Sequence, residues 1–408
     1  MPAIKLQGIS PMEKQHRIVS LDVLRGISLF FILIANVLVF SGYYFLDESL
    51  KQQYATYDLD AWLFDAIKIL VEAKFYTLFS LLFGIGFYIQ LQRFKSSSSF
   101  PKYMLRRMSI LLLIGLVHMF FIWLGDILAL YAILGMVLIL FHKWSDRKLL
   151  IMAISLLILP ILHVAFMQEV GVYLGGLFGQ FNAYVYSLDG APPKDPNVFV
   201  VLEFTRTQDW QFYWQVKLVD PVIRLAILIA DTRFFKVLGI FMIGLVIGRH
   251  IFHHGLLENT RLLKRTLFWG FIIGLPANIG MTILSNAETN SASNAILHAV
   301  LGTLGIVPLT LAYAAGIVLM LNNGGRWLLA FAFAGRMALT NYIMQSIICI
   351  TLFYGIGLGW AGRFGLLSIL LIVTLIFLFQ ILFSFIYLRY VNQGPLEYLW
   401  RMSIQKHK

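Results

Sequence analysis

The sequence predicts an all-α fold, a polytopic membrane helix bundle of about ten transmembrane helices with both termini cytoplasmic. Three observations carry this reading. Of the 408 residues, 59% are hydrophobic and 13% charged, against roughly 45–50% and about 25% in a soluble domain. Apolar runs of the roughly 20 residues needed to cross a hydrocarbon core recur along the chain. Most of the 32 Lys and Arg fall between these runs on the side of the N-terminus, and most of the 20 acids fall on the other side. By the positive-inside rule the basic side faces the cytoplasm. A formal charge of +12 would point to nucleic acid in a soluble chain. Here the basic clusters face cytosol and anionic lipid headgroups, so membrane lipids, and no nucleic acid, are the expected partners.

Residues 1–17 are polar and read as a cytoplasmic N-terminal segment. The run that follows is too long for a signal-peptide core, so no cleavable signal is expected. The first span, 18–40, opens on Ser20-Leu21-Asp22-Val23-Leu24-Arg25-Gly26. Asp22 and Arg25 lie one helical turn apart. They read as a local ion pair at the helix start, or as a device in which Arg25 faces a cavity and holds a phosphate or carboxylate bidentately. The second span, 64–91, carries Glu72 and Lys74 near its outer end, where they read as an interfacial pair. The third and fourth, 108–124 and 127–141, are short and joined by Gly125 and Asp126, a tight hairpin near one face.

His118 falls near mid-depth of the third span. It reads as a neutral histidine satisfied by a neighbouring helix, or as a general base, since imidazole titrates near neutrality and accepts a proton from a hydroxyl or amine. Asp126 reads as the cap of the fourth span. Along a straight helix it is too distant to pair with His118, and coupling requires the hairpin to fold back. The fifth span, 149–170, completes an N-terminal bundle over 18–170.

An external stretch, 171–233, separates the two halves. Its first part, with Asp189, Pro192, Pro193 and Pro196, reads as an exposed loop. The part from Trp210 to Ala230 mixes Trp210, Tyr213 and Trp214 with Lys217, Asp220 and Arg224, which suits an interfacial or re-entrant helix. A C-terminal bundle, 234–388, follows, with spans at 234–249, 267–284, 295–321, 337–357 and 364–388. Residues 389–408 read as a cytoplasmic tail. Glycine patterns in 83–90 and 240–249 read as close helix packing. His250, His253 and His254 have metal-ligand spacing, but no nearby acid completes a site, so interfacial histidines and no metal are expected. In the ninth span Arg336, Thr340, Asn341, Gln345 and Ser346 make one polar stripe. Such a stripe on a spanning helix points to a water-filled or substrate-lined interior.

Several signatures are absent from the sequence: a Walker loop, a Gly-x-Ser-x-Gly elbow, a His-Glu-x-x-His pair and a dinucleotide fingerprint. ATP-driven transport, serine hydrolysis and redox catalysis thus have no sequence support. Cys349, the one cysteine, lies in an apolar run and leaves no disulfide framework and no thiolate zinc site.

Taken as an ordered set, several motifs resemble a known group. They are the stretch from Ser20 to Gly26, Phe79 to Gly86, and Arg106-Arg107 with Gly115 to His118 and Gly125 to Tyr131. To these are added Gly335-Arg336-Met337 with Thr340-Asn341-Tyr342 and Gln345-Ser346, and Gly394 to Glu397 with Trp400-Arg401. Together they resemble the bacterial YeiB-like family of integral membrane proteins, which is similar to the transmembrane acyltransferase superfamily that includes heparan glucosaminide acetyltransferase. Helix one departs from the pattern of polysaccharide O-acyltransferases, in which Arg is followed at fixed spacing by His. The resemblance implies a multi-pass protein of the bacterial plasma (inner) membrane, frequently a homodimer. It also implies transfer of an acyl group from cytosolic acyl-CoA (acetyl-CoA) to an acceptor on the far side or linked to lipid. On that reading Arg25, Arg107 and Arg336 contact the anionic donor, with Asp22, Asn341 and Gln345 beside them, and His118 with Asp126 supplies the base. Two other readings fit the residues: a transporter or channel for a small solute, lipid or ion, and a lipid-binding membrane protein without turnover.

Overall fold

The computed structural model describes residues 18–93, 99–170, 205–287 and 291–405, and among these every regular element is a helix. The N-terminal half contains α1 (Val19–Phe40), α2 (Tyr57–Leu70), α3 (Lys74–Arg93), α4 (Phe100–Phe121), α5 (Leu128–Leu138) and α6 (Asp146–Val170). After α7 (Trp210–Ala230) come α8 (Arg233–His254), α9 (Thr260–Asn286), α10 (Ala292–Asn322), α11 (Leu329–Arg336), α12 (Ala338–Phe353), α13 (Leu366–Tyr390) and α14 (Pro395–Gln405). Eight helices, with α2 and α3 counted as one, are long and apolar enough to cross a membrane, and α5 and α12 are shorter apolar helices. The chain is therefore a polytopic helical bundle of the size the sequence predicts. The segments 1–17 and 171–204, with the proposed loop around Asp189, lie outside the described residues.

Helical periodicity decides which side of each span meets lipid. On α6 the exposed side chains are Ile151, Ile154, Ile158, Leu162 and Phe166, and on α13 Leu371, Leu375, Leu378, Leu382 and Ile386. Both sets advance by three or four residues, which is one face of a helix. In water so much exposed aliphatic surface would be unfavourable, and in hydrocarbon it costs nothing.

The centre of the bundle is a crossing of α3 and α8. Their backbones touch at Gly84 and Gly244: a Cβ added to Gly84 would lie 3.0 Å from Gly244 Cα and overlap the Phe241 carbonyl. The glycine patterns of 83–90 and 240–249 thus serve close packing.

Local breaks depart from the sequence reading. The second span is bent: α2 stops at Leu70, Ala73 takes φ +68°, and α3 starts at Lys74. At the break the Glu72 amide bonds to Ile67 O, and the Lys74 ammonium, fully buried, donates to the Lys68 carbonyl at 2.8 Å. Lys74 and Glu72 are therefore no pair; a carbonyl released by the bend satisfies the buried cation instead. The ninth span is also divided. Arg336 closes α11, Met337 breaks the helix, and the remaining polar residues belong to α12.

Two carboxylates hold helix ends across long sequence distances. Asp60 accepts from Leu366 N and Leu367 N, both at 2.9 Å, at the start of α13. Glu397 accepts from Leu339 N at 2.7 Å and Thr340 N at 3.2 Å at the start of α12. Each meets amides that a helix start leaves without intrahelical partners. α7 is anchored in the same manner, with Asp209 accepting from Gln211 N. Just before it, Thr205 O takes the amide of Gly355 in the connection between α12 and α13, and its far end leads directly into α8. Both ends lie on the face opposite the N-terminus, so α7 runs along that outer face.

Candidate functional site

One cavity of about 1170 Å³ extends through the bundle. Its end on the N-terminal face is lined by Arg25 of α1, Arg107 of α4, Arg336 of α11 and Arg401 of α14, together with Asp22 and Glu397. Its waist is aromatic, with Phe79, Phe83, Trp123, Tyr131 and Tyr342. The outer end lies under α7 and carries Lys68, Glu72, Lys217, Arg224, Arg233 and Lys236. Two polar ends separated by an apolar waist make a passage that an ordinary packed bundle would fill with side chains.

The inner end is built from fixed guanidinium groups. Arg25 Nη1 donates to Asp22 Oδ1 at 2.9 Å, so the local ion pair forms and the same arginine still lines the cavity. Arg107 stacks its guanidinium 3.8 Å over the Trp400 ring, and Trp400 Nε1 donates to Arg107 O at 3.0 Å. Arg336 Nη2 donates to Asn392 O at 3.2 Å. Guanidinium forks held in this manner suit bidentate contact with phosphate or carboxylate oxygens.

His118 and Asp126 lie beside the waist rather than in it. The α4 helix ends at Phe121, the amides of Ile122 and Trp123 both return to His118 O, and the chain doubles back. This fold brings Asp126 Oδ1 to 3.0 Å from His118 Nδ1, while Asp126 Oδ2 accepts from Ala129 N at 2.7 Å. Asp126 is at once the cap of α5 and the partner of His118. On the other side of the ring His118 Nε2 stands 3.0 Å from Ser346 Oγ. Arg224 of α7 fixes the turn from outside, donating through Nε and Nη2 to Asp126 O at 3.1 and 2.6 Å. The imidazole is fully buried. Tyr342 forms the wall between it and the cavity, with ring centroids 5.2 Å apart.

The polar stripe of α12 is spent on neighbouring helices. Asn341 Nδ2 donates to Ala334 O and Ser384 Oγ, both at 3.0 Å, and Gln345 Nε2 donates to Gln380 Oε1 at 2.9 Å. Gln380 in turn donates to Asn341 O. Such amide chains hold helices together where lipid offers no alternative partner. Of the eight residues that the sequence singles out, the cavity lining thus takes Asp22, Arg25, Arg107 and Arg336. His118 and Asp126 form their own node, and Asn341 and Gln345 lie in the α12–α13 network. Sequence reasoning missed Arg224, Tyr342 and Arg401 as site residues. A charge inside the apolar run of α7 was the available signal for Arg224, and the Trp400-Arg401 motif was the signal for Arg401.

The histidines after the sixth span need one correction. Asp146 does approach them, with His250 Nε2 at 3.2 Å from Asp146 Oδ2, and Arg249 shares that carboxylate at 2.5 Å. The folded α6 start supplies this acid, far away in sequence. No group of three or more metal-ligating side chains forms among the described residues.

Burial pushes the Glu397 carboxyl above the usual carboxylate range, although its hydrogen bonds from Thr340 and Leu339 pull the other way. A carboxyl whose folded pKa is raised contributes most when protonated, and that contribution is lost as pH rises through the folded pKa. Glu397→Gln is therefore expected to gain stability relative to the native chain as pH rises from about 4 to 7. Thermal unfolding in detergent across that range checks it, and a pH-independent difference contradicts the burial argument.

The chain is similar in sequence to several proteins. Residues 247–406 match a family model described as "Protein of unknown function (DUF418)". The chain is 29% identical to the uncharacterized protein YxaH of Bacillus subtilis (strain 168), covering 98% of this chain and 96% of the relative. It is 29% identical to the uncharacterized protein YeiB of Escherichia coli (strain K12), covering 95% and 96%. No solved structure matches the chain.

Proposed function

We propose that this chain, a YeiB-like multi-pass membrane protein, is a membrane-embedded acyltransferase that takes an acyl group from acyl-CoA at its arginine-rich end. The observation that carries the reading is the single cavity joining four arginines at one face to a second polar end at the other, with a His–Asp pair beside its waist. Arg25, Arg107, Arg336 and Arg401 would hold the donor's phosphates by charge-assisted hydrogen bonds. The apolar waist would accommodate the pantetheine arm and acyl chain while excluding water. Asp126 on Nδ1 fixes the imidazole so that Nε2 accepts a proton. Ser346 Oγ stands where an acceptor hydroxyl would stand, and a shift of the Tyr342 ring would open Nε2 to the cavity.

The test uses purified protein and labelled acetyl-CoA. Binding and slow hydrolysis are expected, with turnover falling about a hundredfold or more in His118→Ala, the usual scale for loss of a general base. Binding is expected to weaken in Arg107→Ala. Absence of both binding and hydrolysis, with His118→Ala unchanged, would overturn the proposal.

A cavity with polar residues at both ends equally favours a second reading, a transporter for an anionic solute. Proteoliposome flux that depends on Asp126 and is indifferent to acyl-CoA would select it.

A further inference from the structure

We infer that the outer end of the cavity is a binding site for a phosphate-class anion. The face around it is mainly acidic in sequence, yet within the cavity Lys217, Arg224, Arg233 and Lys236 meet Glu72 and Asp231. Asp231 is shared among these cations: it is ion-paired with Arg233 and acts electrostatically on Lys236 as well. The Lys236 ammonium has no hydrogen bond and no salt bridge among the described residues; Asp231 and Arg233 act on it electrostatically, and it in turn acts on His298, which also lines the cavity.

The wall opposite supplies the second observation. Thr282 of α9 lines the cavity, is 4% exposed, and its Oγ1 has no hydrogen-bond partner. A threonine inside a helix ordinarily returns its hydroxyl to the carbonyl four residues back, as Thr310 does to Ile306 O at 2.7 Å. A buried hydroxyl without a partner is unfavourable unless something else accepts from it. One turn on, Ser285 Oγ lies 3.0 Å from His298 Nε2, so the same wall presents further polar groups.

The site is built rather than incidental. Arg224 is fixed by its two bonds to Asp126 O, and Lys217 and Arg224 are buried to more than nine-tenths. Ammonium and guanidinium groups and a hydroxyl that line one end of the cavity from α7, α8 and α9 suit an anion that offers oxygens in several directions, as a phosphate group does. The inference does not depend on acyl transfer, and it would equally describe the outer end of a permease. A phospholipid headgroup and a soluble phosphate share the required chemistry.

The experiment uses the full chain in an uncharged detergent. Inorganic phosphate is titrated by calorimetry, and dioleoyl phosphatidylglycerol is added in a native mass-spectrometry arm. At least one probe is expected to bind, more weakly as salt is raised. Lys236→Gln should weaken that binding about tenfold, the scale for one hydrogen bond to a charged group. Thr282→Val should weaken it several-fold, whereas the exposed control Arg261→Gln should leave it unchanged. Binding of phosphate identifies a soluble source, and binding of the lipid alone identifies a headgroup. If neither probe binds, or if Lys236→Gln and Thr282→Val bind as tightly as the native chain while unfolding at the same temperature, the inference is wrong.

Discussion

Asp126→Ala is expected to lower stability by about 2–4 kcal/mol, the sum of a lost helix cap and a buried donor left unpaired, and to abolish any acyl transfer. The carboxylate carries two duties that no neighbour can assume. Its Oδ2 holds the Ala129 amide at the first turn of α5, and its Oδ1 faces His118 Nδ1 in a site without water access. Truncation leaves both donors without a partner, and it removes the group that sets the tautomer of the imidazole. Asp126→Asn separates the two duties. Its amide oxygen can still cap α5, so stability should largely recover, while its inability to balance an imidazolium should keep turnover low. Unfolding temperature and acetyl-CoA turnover, read side by side, check this. Equal stability of the alanine and asparagine variants would show that the cap contributes nothing.

The second large effect is expected at the α3–α8 crossing. Gly84→Leu should destabilise the bundle by more than about 3 kcal/mol, the upper range for an overpacked core, and should leave the detergent-solubilised protein aggregated. Overpacking is usually relieved by rotation of a side chain. Here the obstacle is main chain, the Phe241 carbonyl and the Gly244 Cα, and neither can move without parting two helices. Gly86→Ala, two residues along the same helix, is the internal control. A Cβ there meets nothing nearer than Arg25 Nη2 at 3.7 Å, so this variant should lose no stability and gain up to about 1 kcal/mol from helix propensity. Size-exclusion profiles and thermal unfolding of the pair decide the matter. Equal behaviour would mean that the two backbones do not touch.

These two sites differ in how far they could be read in advance. The glycine patterns of 83–90 and 240–249 indicated close packing, because a missing side chain has meaning wherever a helix is otherwise bulky. What the pattern lacked was the partner, since each half lies on a different helix. For Asp126 the reverse holds: its role as a cap was legible from its place after Gly125, and its pairing with His118 was not. That pairing depends on α4 stopping one turn short of the predicted span, and helix ends are set by competing local bonds that hydropathy does not report. The stripe of α12 is a third case. Asn341 and Gln345 were conspicuous because amides are rare among apolar neighbours, yet the pattern treats a ligand cavity and an interhelical amide chain alike. Gln380 and Ser384 on α13 decide between the two.

By itself the sequence determined the multi-pass helical class and the charge asymmetry of the connections, which are averages over some twenty residues and so survive ignorance of contacts. The excess of basic charge, ambiguous as a total, was resolved by its position along the chain. The tertiary structure alone decided which charges converge. It set four arginines at one end of a cavity, and it gathered Lys217, Arg224, Arg233 and Lys236 at the other end of a face whose connections are mainly acidic. It also brought a carboxylate to an imidazole through a turn. The physical reason is that burial is specified residue by residue through periodicity, whereas the convergence of polar groups depends on crossings between helices that are far apart in sequence.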